Sequence, residues 1–188
     1  MKKTMTKKEK ILRTALQLVA SGGFQGAPIA ELAAKSKVAV GTIYHHFASK
    51  DEMVAAMYLY CKENLANALE GALVDKASGA KKFDKVWSAF IEFASKNSVE
   101  FSFLDQYKSS PLITSAVIKS AEKFDAGLNK YFNDGLKGKE FKKAEANQLL
   151  EFFYTNVFSA ARAVASKKKS ATKDADVFRE MTWSAFKK

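Results

Sequence analysis

The feature that most constrains this 188-residue chain is the spacing of its apolar residues, which recur every three or four positions along most of its length. Such spacing places apolar side chains on one face of an α-helix. No segment alternates apolar and polar residues for the length of a strand. The sequence therefore predicts an all-α protein of about nine helices, the first three of them short.

The first fifty residues predict three helices and a tight turn. Thr6 and Glu9 have the spacing of a capping box, which opens the first helix, and Gly22 and Gly23 end it. Pro28 suits the first turn of the second helix. After a turn at residues 36–39, the third helix runs from about Val40 to His46, with Ile43 and Phe47 as its buried pair. This order predicts a helix-turn-helix.

A long helix is predicted next, from Lys50 to Leu73, and Ser49 with Glu52 forms the capping box that opens it. At 1.5 Å per residue it is roughly 36 Å long. Cys61 lies on its apolar stripe, which favours a buried structural thiol over a reactive one.

The later part of the chain predicts further helices. Ser110 and Pro111 predict the start of one that continues to about Phe132, and Gly135–Lys143 predicts a basic loop. Two long helices follow at about 144–166 and 173–186, the second capped by Thr172. The first of them is apolar on two sides, which indicates that both sides are buried.

Positive charge is concentrated in the first quarter of the chain. The net charge is +11; residues 1–50 hold nine Lys and Arg against two Asp and Glu, and residues 51–188 hold 22 against 18. Such a skew is typical of a module that binds a polyanion, because cations near phosphates release condensed counterions. A lysine-rich solvated face would explain the charge alone equally well.

Several classes of protein are excluded by composition. One cysteine excludes a disulfide scaffold and a multi-cysteine zinc site. No run of about 18 apolar residues is present, and the basic start leads into an amphipathic segment, so we expect no membrane contact and a cytoplasmic location. No Ser/His/Asp or Cys/His set shares a plausible face, so we expect no enzyme and no cofactor. His45 and His46 point about 100° apart, which argues against a metal site.

The segment from about 7 to 60 resembles the DNA-binding domain of TetR-family regulators. The residues that carry the resemblance are Gly23-Phe24, Leu32-Ala33, Val38, Gly41-Thr42-Ile43-Tyr44-His45-His46-Phe47 and Ser49-Lys50-Asp51-Glu52. The resemblance implies a DNA-binding domain over residues 1–50, and an effector-binding and dimerisation domain over residues 51–188. The partners it implies are a palindromic operator in double-stranded DNA, a small-molecule effector and a second copy of the chain.

The candidate DNA-binding residues are Gly41, Thr42, Tyr44, His45, His46 and Lys50. Gly41 lets the helix approach the groove closely, and the hydroxyl and methyl of Thr42 suit a base edge. By resemblance, Tyr44 and His46 donate to phosphates and His45 lies towards the bases. Lys50, at a helix start, attracts phosphate.

The chain departs from the family pattern at four positions. The family usually has Thr or Ser near Ala27, Gly at Lys37, Ser at Ala39, and Lys or Arg at Val40. The left-handed conformation costs a residue other than glycine about 1–2 kcal/mol, so we expect a strained or reshaped turn at Lys37. Loss of the cap at Ala39 costs about 1 kcal/mol.

Aromatic residues accumulate beyond residue 80, and small-molecule sites in helical domains are apolar and aromatic. We therefore expect this part of the chain to bind an apolar or weakly acidic effector. By resemblance, the pocket lies between the long helix and the helices after it. The candidate ligand-binding residues are Trp87, Phe90, Phe103, Tyr107, Phe124 and Tyr154.

Two functions remain open from the sequence, beside a third possibility, a nucleoid-type DNA binder with no effector, against which the aromatic residues beyond residue 80 argue mildly. One is a ligand-responsive repressor that a small apolar or aromatic effector releases from its operator. The alternative is a helical carrier or enzyme for hydrophobic small molecules that binds no specific DNA.

Overall fold

A computed structural model describes residues 5–22, 28–165 and 171–188 and confirms the all-helical class. Within these ranges the chain forms ten α-helices and one 3-10 helix, the latter at Glu122–Asp125. The α-helices are α1 Lys7–Gly22, α2 Ile29–Ser36, α3 Val40–His46, α4 Lys50–Val74, α5 Gly79–Lys96, α6 Ser98–Tyr107, α7 Ser115–Ala121, α8 Ala126–Lys137, α9 Ala146–Ala165 and α10 Ala171–Phe186. Gly23, Ala27 and the side chain of Thr172 lie outside the described part of the chain.

The chain divides into two compact units. Unit 1 comprises residues 1–62 and 99–121, and unit 2 comprises residues 63–98 and 122–188. Helix α4 begins in unit 1 and ends in unit 2. Since compactness does not define a function, the functional boundary at residue 50 stays a prediction.

Unit 1 contains the helix-turn-helix on a small apolar core. Helix α1 packs on α2, and α2 packs on α3. Ile11 and Ile43 are fully buried, and Phe47 is 2% exposed. Burial of such side chains is worth about 1.5–3 kcal/mol each, which holds the three short helices together.

The capping box at α1 has the predicted reciprocal geometry. The Thr6 N–H donates to Glu9 Oε2 at 2.7 Å, and the Glu9 N–H donates to Thr6 Oγ1 at 3.1 Å. At α4 the Glu52 N–H donates to Ser49 Oγ at 3.1 Å, but the Glu52 carboxylate accepts from Ala48 rather than from Ser49. Both helices therefore start at the predicted residues, the second with a capping box shifted by one residue.

The prediction of one helix from Pro111 to Phe132 is wrong. Pro111 lies in a turn in which the Ile113 N–H donates to the Ser110 carbonyl at 2.9 Å, and α7 begins only at Ser115. The 3-10 helix then separates α7 from α8. The chain passes from unit 1 to unit 2 between Ala121 and Glu122, the point at which α7 ends and the 3-10 helix begins.

The assignment of Gly135 to a basic loop is also wrong, because Gly135 is a buried residue of α8. A Cβ built on it would lie 2.2 Å from Cε2 of Phe141. Glycine therefore serves close packing here and does not break the helix. Only the part of the loop after Lys137 is non-helical.

Unit 2 is built on an aromatic core from α5, α8, α9 and α10. Phe83, Phe90, Phe132, Phe153 and Phe186 are all 0–2% exposed. Neighbouring rings pack mostly edge to face, as between Phe83 and Phe153 at 6.2 Å between centroids. Such pairs add about 0.5–1.5 kcal/mol each beyond the area they bury.

Candidate nucleic-acid interface and effector site

The turn between α2 and α3 has a lysine in the left-handed conformation. Lys37 has φ 53° and ψ 44°, and the Val38 N–H donates to the Ala33 carbonyl at 3.1 Å. The turn therefore has the shape that glycine would give, at the cost of strain in Lys37. Ser36 is fully buried beside it and donates to the Leu32 carbonyl at 2.5 Å, which satisfies its hydroxyl.

Helix α3 has one buried and one exposed face. Ile43 is fully buried, whereas the side chain of Tyr44 is 55% exposed and Val40 is 42% exposed. Around Gly41 the space is open, since a Cβ built there meets nothing within 4 Å. The exposed face of this short helix is therefore available to an external surface.

The six candidate DNA-binding residues do not share one degree of exposure. Gly41, Tyr44, His45 and Lys50 are exposed, and Thr42 and His46 are half-buried. No residue of this set belongs to the buried core, which Ile43 and Phe47 join instead.

At the end of α3 three neighbouring aromatic rings pack together, and a lysine of α1 lies over the last of them. The His45 and His46 rings meet edge to face at 5.5 Å, and His46 lies 6.1 Å from the Phe47 ring. Nζ of Lys8 lies 5.8 Å from the centre of the Phe47 ring. Among the described residues no group of three His, Cys, Asp or Glu side chains gathers at metal-binding distance.

The start of α3 lacks a side-chain cap. Ala39 occupies the N-cap position with extended geometry, and its side chain makes no capping hydrogen bond with the first N–H groups of the helix. The predicted loss of the cap at Ala39 is confirmed. Lys50 is the first residue of α4, where Asp51 and Glu52 follow it in the first turn.

The six candidate effector residues are distributed over both units. Trp87, Phe90, Phe124 and Tyr154 lie in unit 2, whereas Phe103 and Tyr107 lie in unit 1. Phe103 and Tyr107 stack on each other at 4.3 Å with nearly parallel rings.

Three of the unit 2 candidates belong to one aromatic cluster. Phe90 packs against Tyr154 at 6.2 Å and against Phe153 at 6.3 Å, and Trp87 reaches Phe153 at 6.0 Å. Trp87 and Phe90 are buried, so the core role that aromatic residues commonly have accounts for much of their environment. Tyr154 is half-buried, as is Phe124, whose ring lies 4.9 Å from Nζ of Lys123.

The carboxylate of Asp125, which no sequence pattern indicates, also lies at this cluster. The hydroxyl of Tyr154 donates to Oδ1 of Asp125 at 2.5 Å. Asp125 ends the 3-10 helix and precedes α8, and 29 residues separate it from Tyr154. No signal of short range in the sequence links the two residues.

A groove of 440 Å³ in unit 2 lies on the other face of α5 from Trp87 and Phe90. It is lined by Gly71, Ala72, Asp84, Lys85, Ser88, Ala89 and Glu92. Its lining contains charged side chains of both signs and no aromatic ring, which differs from the aromatic pocket that the sequence predicts.

Comparison with known proteins decides the family of the N-terminal segment. Residues 11–57 match the family model described as bacterial regulatory proteins, tetR family. The resemblance to the TetR family is confirmed. The matched TetR segment contains α2, the turn and α3 together with most of α1 and the start of α4. It therefore includes all six candidate DNA-binding residues.

Solved structures match the TetR-type fold over nearly the whole chain. A protein of Shewanella sp. PV-4 assigned to the tetR family of transcription regulators has a TM-score of 0.87 at 24% identity, covering 97% of this chain and 99% of its own. A TetR family regulator of Marinobacter aquaeolei VT8 has a TM-score of 0.81 at 16% identity, covering 96% and 95%. A TetR-family regulator of Haemophilus influenzae has a TM-score of 0.79 at 20% identity, covering 97% of both chains. At these identities the likeness shows the fold.

In the part of the chain that the structure describes, no helix combines enough residues with enough apolar character to cross a bilayer.

Proposed function

We propose that this TetR-type protein is a ligand-responsive repressor that binds a palindromic operator as a homodimer and leaves it when a small effector binds. The observation that carries the proposal is the two-faced α3, whose core residue Ile43 is fully buried while Tyr44 is 55% exposed. Since its target would be chromosomal DNA, the protein would act in the cytoplasm.

The exposed face of α3 supports DNA contact by residue type. Thr42 offers a hydroxyl and a methyl to a base edge, and the open space at Gly41 permits close approach to the groove. Tyr44 and His46 would donate to phosphates and position the helix, and His45 would lie towards the bases.

The exposed lysines near α3 in the sequence also support DNA contact. Lys50 is exposed at the start of α4, and Lys7 and Lys8 are exposed at the start of α1. In this proposal these lysines contact phosphates and carry the part of affinity that depends on salt.

Binding to the promoter next to the gene for this protein, measured by fluorescence anisotropy at several salt concentrations, tests the proposal. Lys50→Ala should weaken binding to all sequences alike and reduce the slope of log affinity against log salt by about 0.9 per lost phosphate contact. Thr42→Ala should change the preference among operator variants, since a good base contact discriminates by about 1–3 kcal/mol.

Lys76→Ala is the matched control, because it removes an exposed lysine of unit 2 and should leave both the slope and the preference unchanged. Absence of sequence-preferring binding at every salt concentration would reject the proposal in favour of the helical carrier. Identical losses for Thr42→Ala and Lys50→Ala across a site library would reject the division of roles.

Exposed apolar side chains on α9 and α10 support the homodimer. Phe152 is 44% exposed, Val177 is 47% exposed and Met181 is 65% exposed. Val177 and Met181 are four residues apart on α10 and share one face. We propose that a second copy of the chain covers this face, since a two-fold dimer matches a palindromic operator.

The effector would act through α4, which spans 25 residues and belongs to both units. An effector that contacts the aromatic cluster at Phe90 and Tyr154 would favour one tilt of α4, and the tilt would change the separation of the two α3 helices in the dimer. Operator half-sites are about 34–36 Å apart or a multiple of that, so a mismatch of a few ångströms would lose contacts.

Reciprocity makes the switch testable by calorimetry with an effector found by screening. An effector that releases DNA must bind less tightly to the operator-bound dimer, by roughly 5–150-fold for a coupling of about 1–3 kcal/mol. Equal affinities for free and operator-bound protein would refute the switch even if DNA binding were confirmed.

A further inference from the structure

A second groove of unit 2, which the proposed function does not use, lies between the end of α8 and the segment that leads to α9. Its volume is 390 Å³, within the range of small-molecule sites. Its lining combines three apolar with three basic residues: Leu136, Phe141, Ala144, Lys139, Lys143 and Lys188.

The floor of the groove is held in place by the core. Phe141 is 3% exposed, and its ring packs against Tyr131 at 5.6 Å and Phe186 at 6.0 Å. Two backbone hydrogen bonds fix the segment to the end of α10. The Lys142 N–H donates to the Phe186 carbonyl at 2.8 Å, and the Lys188 N–H donates to the Glu140 carbonyl at 3.1 Å. The aromatic floor is thus preformed.

The ionisable side chains that line the groove all have one sign of charge. All three of them are lysines. The nearby Glu140 carboxylate accepts from the Gly79 N–H at 3.2 Å. Lys139 has φ 57°, a conformation that costs a residue other than glycine about 1–2 kcal/mol. The chain therefore carries a cation at a position where glycine would fold more easily.

We propose that this groove binds a small organic anion, a molecule with a carboxylate or phosphate group on an aromatic or short apolar body. The apolar body would contact the half-buried side chains of Leu136 and Ala144, which lie beside the buried Phe141, and the anionic group would meet the ammonium groups of the exposed Lys139 and Lys143. Ammonium groups bind both kinds of anion as point charges, so the two share one recognition chemistry.

These lysines also have a structural explanation. Helices α8 and α10 end nearby, at Lys137 and Phe186, and a cation close to a helix C-terminus is stabilising. In this role the positive charges would stabilise the fold even when no ligand is bound. It predicts that the lysines matter equally with and without an added anion, which separates it from a binding site.

Trp183 provides the signal for a binding test, because its ring lies 6.2 Å from that of Phe141. Phenyl phosphate and benzoate, titrated separately at low salt, should each change the tryptophan fluorescence of the full chain in a saturable manner. Benzyl alcohol tests the body without charge, and inorganic phosphate tests the charge without a body. Both should bind at least several-fold more weakly than phenyl phosphate. Saturable binding of benzoate would show that the groove accepts carboxylates as well as phosphates, whereas saturable binding of phenyl phosphate alone would show a preference for phosphate.

The double variant Lys139→Gln/Lys143→Gln should weaken phenyl phosphate binding by roughly tenfold, because an exposed ion pair is worth up to about a factor of five. Lys76→Gln/Lys119→Gln removes the same charge from exposed sites outside the groove and should bind as the natural chain does. Thermal unfolding with and without phenyl phosphate completes the test, since the ligand should raise the midpoint of the natural chain and of the control, but not of the groove variant.

Three results would overturn the proposal. The first is that neither phenyl phosphate nor benzoate binds saturably. The second is that the groove variant and the control variant bind phenyl phosphate equally weakly. The third is that the groove variant is less stable than the natural chain, yet phenyl phosphate raises its unfolding midpoint by as much. Because none of these measurements uses DNA, failure here leaves the proposed repressor function untouched.

Discussion

Replacement of Gly135 by alanine should destabilise this protein, although glycine is the poorest helix former after proline. At an open helical position the change gains about 1 kcal/mol through helix propensity. At Gly135 the added Cβ would lie 2.2 Å from Cε2, 2.5 Å from Cδ2 and 2.9 Å from Cζ of Phe141. Carbon atoms prefer a separation of about 3.5–4.0 Å, so the ring would have to move by more than about 1 Å.

The ring has little freedom to move. Phe132 and Phe186 each lie 6.0 Å from it, and Trp183 lies at 6.2 Å. Overpacking of this kind costs about 1–3 kcal/mol. Since the surrounding rings block relaxation, we take the upper end, and after the propensity gain the net destabilisation is about 2 kcal/mol. For a chain of this length, that lowers the unfolding midpoint by roughly 4–8 °C.

Gly71→Ala is the matched control. Gly71 lies inside α4, and a Cβ built on it meets nothing within 4 Å. The same substitution should therefore raise the midpoint, by up to about 1 kcal/mol in free energy. Opposite signs for one chemical change would isolate packing from propensity.

Thermal unfolding by circular dichroism measures both variants, and a double-mutant cycle with Phe141→Leu assigns the cause. The leucine leaves room beside Gly135, so Gly135→Ala should cost at least about 1 kcal/mol less in that background. If Gly135→Ala were neutral or stabilising in the natural chain, or if the cycle showed no coupling, the steric reasoning would be refuted.

Three further predictions concern the turn, the dimer and the thiol. Lys37→Gly should be about 1 kcal/mol more stable than Lys37→Ala in denaturant unfolding, because both remove the charge and only glycine relieves the positive φ; equal stabilities would show that the turn is unstrained. In light scattering the natural protein should be a dimer of 41.6 kDa, twice the 20.8 kDa of one chain, and Met181→Glu should convert it to a monomer. Ile118→Glu, which changes an exposed apolar residue of α7, is the control and should leave the dimer intact, whereas a mass of 20.8 kDa for the natural protein would exclude the dimer. Burial, with a smaller contribution from Glu100, raises the pKa of the Cys61 thiol, so iodoacetamide at pH 8 should label Cys61 only after unfolding, and rapid labelling of the folded chain would contradict the burial. Because the thiol ionises more easily in the unfolded chain, Cys61 should also reduce the stability of the fold as the pH rises above 9.0, the ordinary pKa of a cysteine thiol.

Much of the helix-turn-helix was predictable from sequence because its determinants lie within a few residues of one another. The Thr6–Glu9 capping box joins residues three apart, and α3 has the predicted bounds. The spacing of Ile43 and Phe47 also predicts which face of α3 is buried. These features depend on hydrogen bonds and faces of a single helix, which short-range sequence patterns encode.

The candidate effector site was less accessible to the same reasoning. Aromatic spacing predicts that Trp87, Phe90 and Tyr154 lie on inward helix faces, but it does not predict which rings meet. The contact of Tyr154 with Asp125 joins residues 29 apart, and the stack of Phe103 on Tyr107 falls in the other compact unit.

The sequence by itself determined that the chain is helical, where its first helices begin and end, and which side of α3 faces the core. Only the tertiary structure decided that the helical pattern from Pro111 to Phe132 is interrupted by a 3-10 helix, and that Gly135 lies under the ring of Phe141. Apolar spacing reports that a residue is buried, but it carries no information about its partner. The partner is fixed by packing between segments that are distant in the chain, and this packing can place a glycine in the middle of a core or break a helix at the edge of one.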